Sequence, residues 1–375
     1  MKKLYGLSAI MAVIAIAYSC KKTTTENTGT VYLDLPTSTY NYDSSPASPS
    51  SKKINDKATL GRVLFYDTHL SLNNAISCGS CHHQASGFAD NAAFSVGYEG
   101  RLTGRNSRGF ANITGTTVRF DNINSPSVLL FWDGRENTLQ NLIGRPITNH
   151  VEMGITDFSE IPAKLSTLDY YKQLFINAYG SSAITTDKIS ECVAIFVASI
   201  TSHNSRFDQF MGSNIASGQP SHPEVYTANE YAGFNLFVNK YHCQNCHRIF
   251  TSYYSSADLI DIGLDQNYSD KGYGTITGMT KDNGKFRTPG LRNVALTAPY
   301  MHDGRFKTLD DVLNHYSHGI NNSPNLTSML KDDYGQPKSF NISDADKQAL
   351  IAFLNTLTDY SMITDPKYSN PFKLN

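Results

Sequence analysis

The chain has little charge, and no excess of either sign. Only 17% of its 375 residues are charged, and 32 basic side chains face 33 acidic ones, for a formal net charge of −1. No run of five or more Lys or Arg occurs, so the electrostatic footprint of a nucleic-acid binder is missing. Tryptophan occurs once and cysteine six times. The hydrophobic share of 40% is ordinary and excludes global disorder. At about 150 residues per domain, the length predicts two domains, each able to bury its own core.

Long apolar runs are also lacking, with one exception at the start. Lys2 and Lys3 precede the apolar stretch from Leu4 to Tyr18, which ends Ala17-Tyr18-Ser19-Cys20. A basic start, a short apolar stretch and small residues describe an export signal. The stretch is short for a membrane span. Cys20 at that place looks like the lipid-bearing residue of a bacterial lipoprotein, after a signal peptide over 1–20; plain secretion with Cys20 removed is the alternative. Either way the mature protein is expected outside the cytoplasm, on the periplasmic side of a bacterial membrane. Residues 21–52, rich in Thr, Ser, Pro and Asn, read as a flexible tether.

After the tether the periodic signals are helical. Ile161-Pro162 opens a helical segment that Gly180 closes. Ile189, Cys192, Val193, Phe196, Val197 and Ile200 recur at helical spacing. Thr227-Ala-Asn-Glu230 is a capping box, and Ser343 caps a last helix reaching about Leu357. Alternating strands are scarce, so the expected fold is mainly α with long loops.

A weak internal repeat organises the rest. Cys78-Gly-Ser-Cys81-His82 resembles Cys243-Gln-Asn-Cys246-His247, 165 residues on. Asp133-Gly-Arg-Glu-Asn-Thr138-Leu139 resembles Asp303-Gly-Arg-Phe-Lys-Thr308-Leu309, 170 residues on. Arg105-Asn106 and Arg292-Asn293 lie between these landmarks. The shared order predicts two copies of one domain, 53–215 and 216–375.

Two cysteines two residues apart, followed at once by histidine, have a specific chemistry. The thiols add to the vinyl groups of haem, and the adjacent imidazole ligates the iron. Zinc would need the cysteine pairs together in one tetrahedral site, and a redox dithiol gives no reason to repeat the histidine. Two covalently bound haems c are therefore expected, on Cys78, Cys81 and His82 and on Cys243, Cys246 and His247. Cys192, on the apolar face of a helix, reads as a buried structural thiol.

These motifs, with Trp132-Asp-Gly-Arg135, Pro146 and Val151-Glu152-Met153-Gly154, together resemble the bacterial di-haem cytochrome c peroxidases and their relative MauG. Phe286-Arg287-Thr-Pro289-Gly-Leu-Arg292-Asn293, Thr297-Ala-Pro299-Tyr300 and His302-Asp-Gly304 extend the resemblance, which covers about residues 55 to 360. It implies two tandem cytochrome c domains, the first peroxidatic and the second for electron transfer, with a calcium ion between them. It implies that His82 is the proximal ligand of the peroxidatic haem and His247 that of the electron-transfer haem. It places Trp132 between the haems, Glu152 as the acid–base carboxylate, and Asn106, Thr297 and Pro299 at calcium, the last two through backbone carbonyls. Elementary chemistry agrees. One carboxylate beside the iron can take a proton from one peroxide oxygen and return it to the other, and amide and carbonyl oxygens suit calcium. Read singly, Glu152 would be a surface carboxylate, Trp132 core packing and Asn106 a turn residue.

Three positions depart from the family pattern. Tyr98 stands where many members carry a distal histidine, which predicts an open or weakly capped first iron, active without prior reduction. Tyr316 falls where many peroxidases have a methionine ligand to the second iron and where MauG has tyrosine; Met301, His315 and His318 are the rivals. Leu142 replaces a glutamine beside the active site, and Gln140 would face elsewhere on the helix. His69, His83, His150, His203, His222 and His242 read as structural or solvated.

The expected function is reduction of hydrogen peroxide by a periplasmic enzyme of the cytochrome-c peroxidase type, fed by a small cytochrome c or cupredoxin. The alternatives are MauG-like oxidation of a protein or organic substrate, and a pure di-haem electron carrier. Membrane contact is expected through the lipid alone. The sequence leaves the oligomeric state open, a homodimer among the options.

Overall fold

The computed structural model describes residues 32–35, 40–42, 52–113, 129–250 and 259–373. The expected signal segment and Cys20 lie outside them. The helices are α1 (Lys52–Tyr66), α2 (Leu139–Thr148), α3 (Ile161–Ser166), α4 (Asp169–Tyr179), α5 (Thr186–Ser199), α6 (Arg206–Met211), α7 (Ala228–Asn235), α8 (Gln244–His247), α9 (Tyr273–Thr277), α10 (Leu309–His318), α11 (Asp344–Asn355) and α12 (Tyr360–Thr364). Strands are two-residue pairs: β1 (Tyr32–Leu33) with β4 (Phe372–Lys373), and β2 (Leu259–Ile260) with β3 (Phe286–Arg287), both antiparallel. The chain is thus mainly helical with long loops. Among the described residues no helix is long and apolar enough to cross a membrane.

Local signals set most boundaries. Thr185 caps α5 by accepting from Lys188 N, and the apolar positions from Ile189 to Ile200 are buried. Thr227 and Glu230 close the capping box of α7. Gly180 ends α4 in the left-handed region, at φ 74°. The segment expected from Ile161 to Gly180 is two helices, because Leu168 is extended between them. The last long helix ends at Asn355, short of Leu357.

Among the described residues two large buried clusters form, with a small third one of Ile320, Leu326 and Leu330. The first holds residues from Tyr42 to Ile200, joined by Met362 and Tyr368. In it α1 packs on α4 and α5, and α2 packs on α5. The second runs from Phe207 to Leu357 and centres on α7 against α11. The packing therefore changes over between Ile200 and Phe207, ahead of the boundary at 215, and the last residues return to the first cluster.

Both principal crossings are tight for the same reason. A Cβ built on Gly61 of α1 would lie 1.9 Å from the Cys192 carbonyl oxygen and 2.9 Å from Phe196 Cβ. One built on Gly233 of α7 would lie 1.9 Å from the Ala349 oxygen and 2.8 Å from Phe353 Cβ. Glycine lets each pair of backbones touch. Cys192 is buried on this face, and its thiol lies 3.3 Å from the Tyr179 hydroxyl.

The stretch expected to be a flexible tether is partly docked. Tyr42 is 1% exposed; its N–H donates to Asn55 Oδ1 and its hydroxyl to the Lys367 carbonyl. Arg62 of α1, itself buried, donates to the Ser369 carbonyl and lies over the Tyr40 ring. Aromatic side chains within the polar composition supply the apolar area that composition alone hides.

Candidate active site

A cavity of about 1050 Å³ opens in the first half, lined by Cys78, Cys81, His82, Trp132, Leu142, Pro146 and Glu152 among others. Cys78 starts a single 3-10 turn (Cys78–Ser80), and the Cys81 and His82 N–H groups return to the Cys78 carbonyl. His82 Nδ1 lies 2.8 Å from the Phe88 carbonyl oxygen. A carbonyl only accepts, so Nδ1 carries the proton and Nε2 keeps its lone pair for a metal. Burial holds the His82 imidazole below its ordinary pKa, which favours the neutral ligand form. Burial likewise pushes the Cys78 thiol up to about 12 and the Cys81 thiol up to about 11. Thiols kept protonated disfavour a thiolate zinc site. Among the described residues no group of three His, Cys, Asp or Glu gathers as a metal site.

Glu152 follows the C-terminus of α2 and lines this cavity. Its Oε1 accepts from Asn149 Nδ2 at 2.8 Å. Asn149 is itself fixed, since its Oδ1 accepts from Val151 N and its carbonyl accepts from Glu152, Met153 and Gly154. Burial raises the Glu152 carboxyl above its ordinary value, while Arg135 and Asn149 pull the other way. Leu142 also lines the cavity; Gln140 faces the Asp187 carbonyl, 3.5 Å from its Nε2. His150, expected to be structural or solvated, lines the cavity too. Tyr98 N donates to the Val151 and Glu152 carbonyls, but the ring lies over Gly154 and beside Arg101, and Tyr98 is not among the cavity-lining residues.

The second half repeats the arrangement. A cavity of about 420 Å³ is lined by Cys243, Cys246, His247, Met301 and Tyr316 among others. His247 Nδ1 lies 3.0 Å from the Pro289 carbonyl oxygen, which leaves the Nε2 lone pair available to a metal. Of the four side chains named as rivals for this iron, Tyr316 and Met301 line the cavity. His315 Nε2 is held 3.1 Å from the Ile262 carbonyl, and His318 is exposed. Burial pushes the Tyr316 phenol well above its ordinary value.

One turn occurs twice and ties the cavities together. Leu130 bridges Glu136, and Tyr300 bridges Phe306, in the same antiparallel way 170 residues apart. Phe131 and Met301 both have positive φ, as do Gly134 and Gly304. Thr138 and Thr308 cap the ten-residue helices α2 and α10. The correspondence pairs Trp132 with His302 and Pro146 with Tyr316. Proline offers no ligand atom where the second half has a phenol.

Trp132 lines both cavities. Its Nε1–H donates to the Asn106 carbonyl at 2.9 Å, and Asn106 N–H donates to the His302 carbonyl at 2.7 Å. The Arg108 guanidinium lies 4.7 Å from the indole centroid. Arg105 grips Asp270 through two nitrogens, at 2.7 and 2.9 Å, and also binds Asp133, joining the two halves beside Trp132. Asn106, Thr297 and Pro299 line the second cavity here; Asn106 donates to the Ala92 carbonyl, which keeps its Oδ1 an acceptor. Amide and carbonyl oxygens are the donors calcium takes. The sequence reading missed Asn149, Arg108 and the Arg105–Asp270 pair. The 170-residue offset, applied to Trp132, was signal enough to find His302.

Two cavities, each walled by Cys-x-x-Cys-His with its imidazole turned by a backbone carbonyl, fit a c-type cytochrome with two haems. Comparison with known proteins narrows the class. Residues 55–215 match the family model described as di-haem cytochrome c peroxidase. The chain is 31% identical over 264 residues to the cytochrome c551 peroxidase of Nitrosomonas europaea, covering 69% of this chain and 72% of that protein. It is 30% identical over 320 residues to the methylamine utilization protein MauG of Methylorubrum extorquens, covering 84% and 82%. A crystal structure of a MauG-like protein associated with microbial copper homeostasis superposes with a TM-score of 0.71 at 30% identity, covering 90% of this chain and 98% of that one. The chain belongs to the di-haem cytochrome c peroxidase family, whose members are peroxidase-type oxidoreductases with two haems c.

Proposed function

We propose that the protein reduces hydrogen peroxide to water at the His82 cavity, with electrons that enter at the His247 cavity and cross by way of Trp132. In this reading, residues 53–215 and 216–375 are tandem haem domains. The observation that carries it is a carboxylate, Glu152, held in the wall of the cavity that His82 faces. Bound haem supplies the iron that takes up peroxide. Glu152 takes the proton from the inner peroxide oxygen and returns it to the outer one. Asn149 holds one carboxylate oxygen, so the other stays free for that transfer. Leu142 keeps part of the wall apolar. His82 and His247 orient their Nε2 atoms by donating from Nδ1.

Tyr316 is the proposed side-chain ligand of the second iron, with Met301 as its rival, because phenolate stabilises oxidised iron and the residue lines the second cavity. Tyr98 lies over Gly154, which supports an open first iron that needs no prior reduction. Asn106, Thr297 and Pro299 are the proposed calcium ligands. A small cytochrome c or cupredoxin is the proposed donor, and a lipid on Cys20 the proposed anchor on the periplasmic side of the membrane.

A second reading, oxidation of a protein or organic substrate, is favoured by Tyr316 and by the MauG relatives. Steady-state turnover separates the readings. Peroxide-dependent oxidation of a reduced cytochrome c should fall by about 10²–10⁴-fold in Glu152→Gln. Unchanged turnover would remove Glu152 from the mechanism.

A further inference from the structure

Trp132 carries a cation on its face. We infer that the Arg108 guanidinium keeps the Trp132 indole from holding positive charge, so that electrons pass across the indole without resting on it. The inference rests on the proposed role of Trp132 as the bridge between the two cavities.

Three observations carry it. First, the guanidinium carbon of Arg108 lies 4.7 Å from the ring centroid, within reach of the electron-rich face of an indole. Arg108 lines both cavities, as Trp132 does. Second, the indole N–H donates to the Asn106 backbone carbonyl. A carbonyl is no base, so removing an electron from the indole leaves the proton on Nε1. The product is then a radical cation, a full positive charge facing the guanidinium. Third, the carboxylate next to Trp132 in sequence is already neutralised. Asp133 pairs with Arg105 at 2.5 Å and with Arg135 at 2.9 Å. That carboxylate is thus taken up by other arginines, and like charges as close as a guanidinium and an indole radical cation repel inside a protein.

The chemistry balances simply. Hydrogen peroxide takes two electrons at the His82 site. With the donor absent, one would come from the iron of the haem that His82 would hold and the other from the indole, which would become the radical cation while its N–H stays on the Asn106 carbonyl. Arg108 disfavours this state; an uncharged side chain there would permit it.

The test uses the full-length di-haem protein and the fact that Trp132 is the only tryptophan in the chain. Ring-deuterated tryptophan then labels one site. One equivalent of peroxide is added without donor, and electron paramagnetic resonance is read on rapidly frozen samples. The parent is expected to show no indole-centred radical. Arg108→Met is expected to show one, with its hyperfine pattern altered by the deuterium label. Arg108→Lys, which keeps the charge, is expected to behave as the parent. An Arg108→Met protein with parent-like haem spectra and no indole radical overturns the inference, as does an indole radical of equal yield in the parent. Trp132→Phe tests the underlying reading separately. If it passes electrons from the second site to the first at the parent rate, the bridge itself fails.

Discussion

Gly61 and Gly233 occupy the same place on two different helix crossings. Each lies where a Cβ would fall 1.9 Å from a main-chain oxygen, that of Cys192 in one case and Ala349 in the other. Glycine inside a helix normally costs about 0.5–1 kcal/mol relative to alanine. Here the sign should reverse, because the obstacle is backbone and cannot rotate away. Gly61→Ala and Gly233→Ala are each expected to destabilise by about 1–3 kcal/mol or more. Denaturant unfolding of the two variants against the parent checks this.

Asp67 makes a second prediction about stability. It is 2% exposed and accepts from the hydroxyls of Tyr170 and Tyr171 and from the His69 backbone N–H. Burial pushes its carboxyl up, but the hydrogen bonds outweigh burial and hold the pKa below the ordinary value of 3.8. A depressed carboxylate contributes stability above its unfolded pKa, and that contribution is lost as pH falls through the folded one. The loss should therefore appear only below about pH 4. Asp67→Asn should cost about 1–3 kcal/mol at neutral pH and flatten the acid side of the stability profile, measured by thermal melts across pH.

Glu152 has the opposite sign. Burial raises its pKa above the ordinary 4.5. Its base form therefore grows with pH through a midpoint above that value, and peroxide reaction at limiting peroxide should rise with it. The folded state prefers the neutral acid, so this group's contribution to stability is lost as pH climbs through the folded pKa. Glu152→Gln should abolish the pH-dependent limb of the rate while melting at least as high as the parent near neutral pH. A variant that loses both activity and stability would point to a structural role.

Tyr316 and Met301 can be told apart optically. With Tyr316 on the second iron, the oxidised protein should lack the near-infrared band of sulfur-to-iron charge transfer. Tyr316→Phe should then raise the potential of that haem in a redox titration, because a phenolate stabilises oxidised iron. A sulfur band in the parent would assign Met301 instead.

Much of the site was legible because it is local. Cys-x-x-Cys-His, the capping residues Thr227 and Ser343, and the apolar stripe of α5 are each complete within about three turns of chain. Glu152 needed the whole family pattern, since one carboxylate in a loop carries no signal of its own. What stayed hidden depends on distant partners. Nothing near Gly61 announces Cys192, and nothing near Arg105 announces Asp270. Tyr98 could be aligned by position, but only the packing against Gly154 shows which way its ring goes. Tyr42 was lost within a polar stretch, because burial of one aromatic outweighs the composition around it.

The pairing of β1 with β4 sets an order of assembly. Tyr32 and Leu33 pair with residues 372–373, and Met362 and Tyr368 complete the first core, whereas the second core draws only on 207–357. The first core is thus closed by residues that follow the whole of the second core along the chain, and contacts of such long sequence separation form slowly. A chain ended at Thr358 should show slow hydrogen exchange around α7 and α11, and fast exchange around α1 and α5.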